Sequence, residues 1–150
     1  MKKILFIFLT LFSLNAFSQT KQQCINSIKL IDRAKEQSGW LSTTMKDTKL
    51  IRSYRMKFAN MYYTQESIVD MKYVEAVIIE YNEEYSSWYP TLLLNGNHCK
   101  ERELNDDGTI YELSPNNRKT YYFFENKADA VKAQKVFVQL AKLCGATLIN

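Results

Sequence analysis

One histidine and three cysteines among 150 residues leave little with which to build a metal centre. Zinc takes three or four ligands at short, recurring spacings, and Cys24, His98, Cys99 and Cys144 show no such spacing. With four glycines in all, there is no glycine-rich loop to cradle a phosphate and no G-x-S-x-G elbow to present a serine. Asn105-Asp106-Asp107-Gly108 lacks the later ligands and bidentate glutamate of a calcium loop, and reads as a plain turn. No metal and no other cofactor is expected. Internal repeats and low-complexity tracts are also missing, so the chain reads as one domain.

Long apolar runs are scarce too, and the only one is at the start. Lys2 and Lys3 precede an apolar stretch of about eleven residues, Ile4–Leu14, which fits a signal peptide and falls short of the roughly 18 residues of a membrane span. Ala16 and Ser18 supply the small residues that a signal peptidase reads, so cleavage is expected after Ser18. Cys24 is preceded by Lys21, Gln22 and Gln23 and so does not resemble a lipidation site. The expected mature chain, residues 19–150, is periplasmic or secreted and has no transmembrane segment. Removing the leader leaves 18 basic residues (20 − 2) against 16 acidic ones, and the formal +4 becomes +2. Nucleic-acid binding would want a clearer basic excess.

What the chain does have is alternating and helical patterning. Thr20 with Gln23 three residues on forms a capping box for a helix to about Gln37, stopped by Ser38-Gly39. Its stripe of Cys24, Ile28, Ile31 and Ala34, flanked by Ile25 and Leu30, is narrow and predicts packing at the edge of the core. Between Trp40 and Glu66 the periodicity fits helix and strand alike, and the local alternation of Tyr54, Met56 and Phe58 favours a strand over Ser53–Ala59. Lys72–Tyr81 is apolar on both faces, as expected of a central strand covered on two sides. Trp88–Leu94 reads as a strand whose Pro90 places its start at an edge or bend. Turns at Asn95-Gly96-Asn97, Asn105–Gly108 and Pro115-Asn116-Asn117 then separate strands at His98–Leu104, Thr109–Leu113 and from Arg118.

The chain closes on a long amphipathic helix. Asn126 caps it, Asp129 sits at its third position, and Gly145 provides the left-handed stop. Ala130, Ala133, Val136, Phe137, Leu140, Ala141, Leu143 and Cys144 form one arc, with Lys132, Lys135, Gln139 and Lys142 opposite. The fold class is therefore α+β: an N-terminal helix, an antiparallel meander of about five or six strands, and a C-terminal helix packed on the sheet.

A meander ending in a strand, a short turn and one helix resembles pleckstrin-homology-like domains. The ending FFENKADAVKAQKVFVQLAKLCG is similar to the tails of small secreted bacterial proteins of unknown function. The resemblance covers Tyr73–Gly145, omits the first helix and carries over no functional residue. Helix-grip and cystatin-like folds also hold a helix against a curved sheet.

His98 and Cys99 are adjacent, and neighbours on a strand point to opposite faces, so they do not read as a catalytic pair. Glu83 with Glu84, and Glu101 with Glu103, lack the apolar surroundings that shift carboxylates for acid–base work. Lys46, Lys49, Arg52, Arg55 and Lys57 form a basic run that reads as a solvated face. The richest surface signal is Tyr81, Tyr85, Trp88 and Tyr89, with glutamates among them, a mixture common at recognition sites. The simpler alternative places Tyr81 and Trp88 in the core and leaves Tyr85 alone exposed. The function expected is an exported binding domain of the bacterial envelope, with a protein, peptide or glycan partner. The alternative is a hydrolase-type envelope enzyme whose site no motif marks. Export also permits one disulfide. Glu101 and Glu103 beside Cys99 suggest an exposed thiol, whereas Cys24 and Cys144 both point inward from helices, so Cys24–Cys144 is the favoured pair.

Overall fold

The computed structural model describes residues 20–33, 39–58 and 61–149. The expected export segment, residues 1–18, and the helix stop at Ser38 lie outside the described residues. In chain order the elements are helix α1 (Lys21–Arg33), strands β1 (Trp40–Lys46), β2 (Lys49–Phe58) and β3 (Met61–Asp70), and a 3-10 turn (Met71–Tyr73). Strands β4 (Val74–Asn82), β5 (Ser87–Leu94), β6 (Cys99–Asn105), β7 (Ile110–Asn117) and β8 (Lys119–Tyr121) follow, then helix α2 (Lys127–Leu143). The fold is α+β, and the eight strands form two antiparallel sheets. One has five strands in the order β1-β2-β3-β6-β7, the other three in the order β4-β5-β8.

The ambiguous stretch after Trp40 is strand in its described residues apart from the Asp47-Thr48 turn. Lys46 pairs with Lys49 across a two-residue turn, where Asp47 takes φ 57°, a conformation aspartate tolerates better than most residues. Pairing then settles the faces: Leu50, Val69 and Cys99 lie in register across β2, β3 and β6, and all three are buried. The chain leaves this large sheet at Asp70, whose carboxylate accepts from the Thr48 hydroxyl at 2.6 Å. The β4–β5 hairpin is an excursion that founds the small sheet before β6 returns beside β3.

Both helices are capped as their sequences require. Gln23 N–H donates to Thr20 Oγ1 at 3.2 Å and Thr20 N–H to Gln23 Oε1 at 2.7 Å, so the capping box closes in both directions. Asp129 N–H donates to Asn126 Oδ1 at 2.9 Å. At the far end of α2, Ala146 N–H reaches Ala141 O and Gly145 N–H reaches Lys142 O, the paired bonds of a Schellman stop, with Gly145 at φ 87°. Helix α2 packs on β4, β5 and α1, and α1 also touches β1. The common core joins Cys24 and Ile28 of α1, Leu50, Val69 and Cys99 of the large sheet, Val77 and Leu92 of the small one, and Phe137 and Leu140 of α2.

Two strand assignments need correction. Strand β5 lies at the centre of the small sheet, not at an edge. Its even residues turn their main-chain groups towards β8: Trp88 exchanges two bonds with Phe124, Pro90 O accepts from Tyr122 N–H at 3.1 Å, and Leu94 N–H donates to Arg118 O. Pro90 has no N–H to give back, and the β8 ladder is interrupted beside it at Tyr122–Phe123. Strand β4, expected at the centre, is an edge strand. Its inner face lies under α2, while Ile78 on its outer face remains exposed.

Candidate functional site

The odd residues of β5 and the residues paired with them form the outer face of the small sheet, turned away from α2. Leu93 lies opposite Ala76 and Lys119, Thr91 opposite Ile78 and Tyr121, and Tyr89 opposite Glu80. Phe123 continues the row beyond Tyr121 and extends the same side. Tyr89 is the hub: its ring meets Tyr121 edge-on at 5.4 Å and Phe123 edge-on at 5.8 Å between centroids, a favoured aromatic arrangement. Tyr121 is 61% exposed, and Phe123 and Ile78 are exposed as well. Thr91 is buried beneath them and donates to Glu80 Oε2 at 2.5 Å, which fixes the carboxylate against the sheet. Burial raises the Tyr89 hydroxyl above its ordinary pKa, with Tyr121, Tyr85 and Glu84 adding to the rise. Tyr85 and Glu84 lie in the adjoining β4–β5 turn.

The four residues singled out from the sequence divide between two faces. Tyr81 and Trp88 are a cross-strand pair on the α2 side, with rings 4.6 Å apart and tilted by 42°. Trp88 is half-buried against the core, and the Lys127 ammonium lies 4.8 Å from its ring. Tyr89 belongs to the outer side, and Tyr85, 62% exposed, lies in the turn between the two strands. Tyr121 and Phe123 escaped sequence reasoning, because YYFF reads as a uniformly apolar strand until pairing shows which rings face outward.

Charge on the β4–β5 hairpin is one-sided. Between Lys72 and Lys100 the chain holds Glu75, Glu80, Glu83 and Glu84 and no lysine, arginine or aspartate. Elsewhere 20 basic residues face the remaining 12 acidic ones (16 − 4). The hairpin is thus an acidic, aromatic projection on a basic chain.

The remaining candidates carry other roles. Cys99 is fully buried, in correction of the expected exposed thiol: Glu101 shares its face, but that face is the inner one. Burial pushes its thiol up to about 11, so it is no thiolate nucleophile. His98 stacks on Tyr73 at 3.5 Å between ring centroids. Arg52 departs from the solvated basic face: it is 3% exposed, and its guanidinium lies 3.8 Å from the Tyr122 ring on the inner side of the large sheet. Arg55 stays exposed and meets Asp106 at 3.2 Å, while Lys46 and Lys49 are exposed. The three cysteines are free thiols. Among the described residues no three His, Cys, Asp or Glu side chains gather as a metal site, and no described helix is long and apolar enough to cross a membrane. A search with this chain returns no matching family model, no matching curated protein and no matching solved structure.

Proposed function

We propose that this protein is an exported binding domain of the bacterial envelope, and that the outer face of its small sheet is the contact surface. The observation that carries the reading is the aromatic group of Tyr89, Tyr121 and Phe123, with Tyr121 and Phe123 exposed on the outer face of the small sheet and Tyr85 exposed in the adjoining turn. Rigid amphipathic rings are the residues that dominate recognition surfaces. The two-sided apolarity of β4 supports the same reading: the protein covers one side of that strand, and a partner covers the other. Export rests on the Ile4–Leu14 run and the small residues before Gln19.

The test is capture from an envelope fraction with wild-type protein and with a Tyr121→Ala/Phe123→Ala variant. One stoichiometric partner retained by the wild type and lost by the variant, with the melting temperature unmoved, supports the reading. A partner retained equally by both, or turnover in a hydrolase screen with no partner, rejects it.

A further inference from the structure

The open edge of β4 lies beside this face, and the pairing pattern shows which of its main-chain groups are unused. Even residues of β5 bond towards β8, so odd ones bond towards β4, and their partners Ile78, Glu80 and Asn82 spend their main-chain groups inward. Residues 75, 77, 79 and 81 therefore turn theirs outward. The fold already uses two of these carbonyls as acceptors. Ile149 N–H of the C-terminal tail donates to Glu75 O at 2.7 Å, and Gln134 Nε2 of α2 donates to Val77 O at 2.7 Å. Ile79 and Tyr81, further along the edge, meet no such donor among the described residues. Their side chains face the α2 side beside Trp88, and those of Ile78 and Glu80 face the outer cluster.

We propose that this edge accepts an extended polypeptide segment bearing lysine or arginine as an added strand. The proposal rests on reading the small sheet as a contact surface. The main chain at Ile79 and Tyr81 supplies the ladder bonds of strand addition. Glu80, Glu83 and Glu84, with no nearby lysine or arginine on the hairpin, select basic side chains on the outer side, where Tyr85 and Tyr89 offer rings to a cation. Lys127 over Trp88 shows the same pairing within the molecule. Exposed sheet edges are usually blocked by charge, bulge or proline, and lysine is the commonest guard. Here the edge carries glutamates and no lysine along β4, which turns away acidic strands and admits basic ones.

Three nine-residue probes test this on the purified protein: alternating lysine and valine, the same peptide N-methylated at alternate residues, and alternating glutamate and valine. The lysine peptide should bind at least tenfold tighter than either of the others, weaken as salt rises, and slow amide exchange at Ile79 and Tyr81. A Glu83→Lys/Glu84→Lys variant, altered only in the exposed turn, should reverse the order of the lysine and glutamate peptides. Equal binding of the N-methylated peptide overturns strand addition; equal binding of the glutamate peptide overturns the charge selection. No binding of the lysine peptide at millimolar concentration overturns both. Tyr121 and Phe123 lie across β5 from this edge. A partner still lost by their alanine variant while every peptide fails would therefore sink the edge proposal and leave the contact face standing.

Discussion

Burial acts on Cys99 and Tyr122 in the same direction, because each loses water that its ionised form needs. Cys99 rises from 9.0 to about 11. Tyr122 rises from 10.0 to about 12 even though the Arg52 guanidinium beside it pulls the other way. In both, the folded state holds the proton more tightly than the unfolded chain does. The stabilisation is therefore complete below pH 9 and is lost as pH climbs through the folded values. Unfolding midpoints in urea should fall most steeply between pH 9 and 12. A Cys99→Ala variant should lose on the order of 2–3 kcal/mol less than wild type between pH 8.5 and pH 11. Parallel pH curves for the two proteins would contradict the assignment. The aromatic residues separate by a different readout. Tyr85→Ala should weaken partner binding by about 1–2 kcal/mol and leave the melting temperature unchanged. Trp88→Ala, which strips a ring packed on the core, should cost about 2–4 kcal/mol of stability. Thermal melts of the two variants decide the division, and a Tyr85→Ala variant that melts early places that residue in the core.

At the scale of elements, the helices were legible because their signals are local. Asn126, Asp129 and Gly145 each specify an end of α2 through bonds within one turn. Removing the cap with Asn126→Ala should cost about 1 kcal/mol, readable as a shift in denaturant midpoint at constant slope. An unchanged midpoint would mean that packing alone holds the helix start. The strands between Trp40 and Asp70 were mostly illegible for the converse reason. Leu50, Ile51, Tyr54 and Phe58 satisfy a helical spacing as well as a strand, and only pairing with β1, β3 and β6 selects the latter. Strand β4 shows a subtler failure. Its two apolar faces were visible, but sequence cannot tell a face covered by the protein's own helix from one left exposed. The site was legible to the same degree: Tyr85 and Tyr89 stood out in an acidic loop, whereas Tyr121 and Phe123 join them only through the β5–β8 register.

For the whole molecule, the decisive question is how α1 is held. Its buried stripe is short, Cys24, Ile25 and Ile28, and Leu30 faces solvent, so packing alone gives it a modest grip. Cys24 lies against the end of α2, where burial raises both thiols and the nearness of Cys24 adds to the rise at Cys144. Both thiols are buried in the common core, on helices that pack against each other, while Cys99 is buried in the large sheet. We predict that protein recovered after export begins at Gln19 and carries a Cys24–Cys144 bridge, with Cys99 left as a buried thiol. Closing a loop of about 120 residues could add up to roughly 5 kcal/mol on the chain-entropy model, less whatever strain the helices accept. Under reducing conditions α1 should be the first element to lose amide protection, because such a bridge would be its strongest tie to the core. Intact mass and peptide mapping without reduction test both statements. A retained leader removes the export reading, a bridged peptide containing Cys99 removes the pairing, and three alkylatable thiols in exported protein remove the disulfide. A bridge at Cys24–Cys144 with Cys99 modified only after unfolding would show that the inward stripes of two helices, far apart in sequence, were shaped to meet.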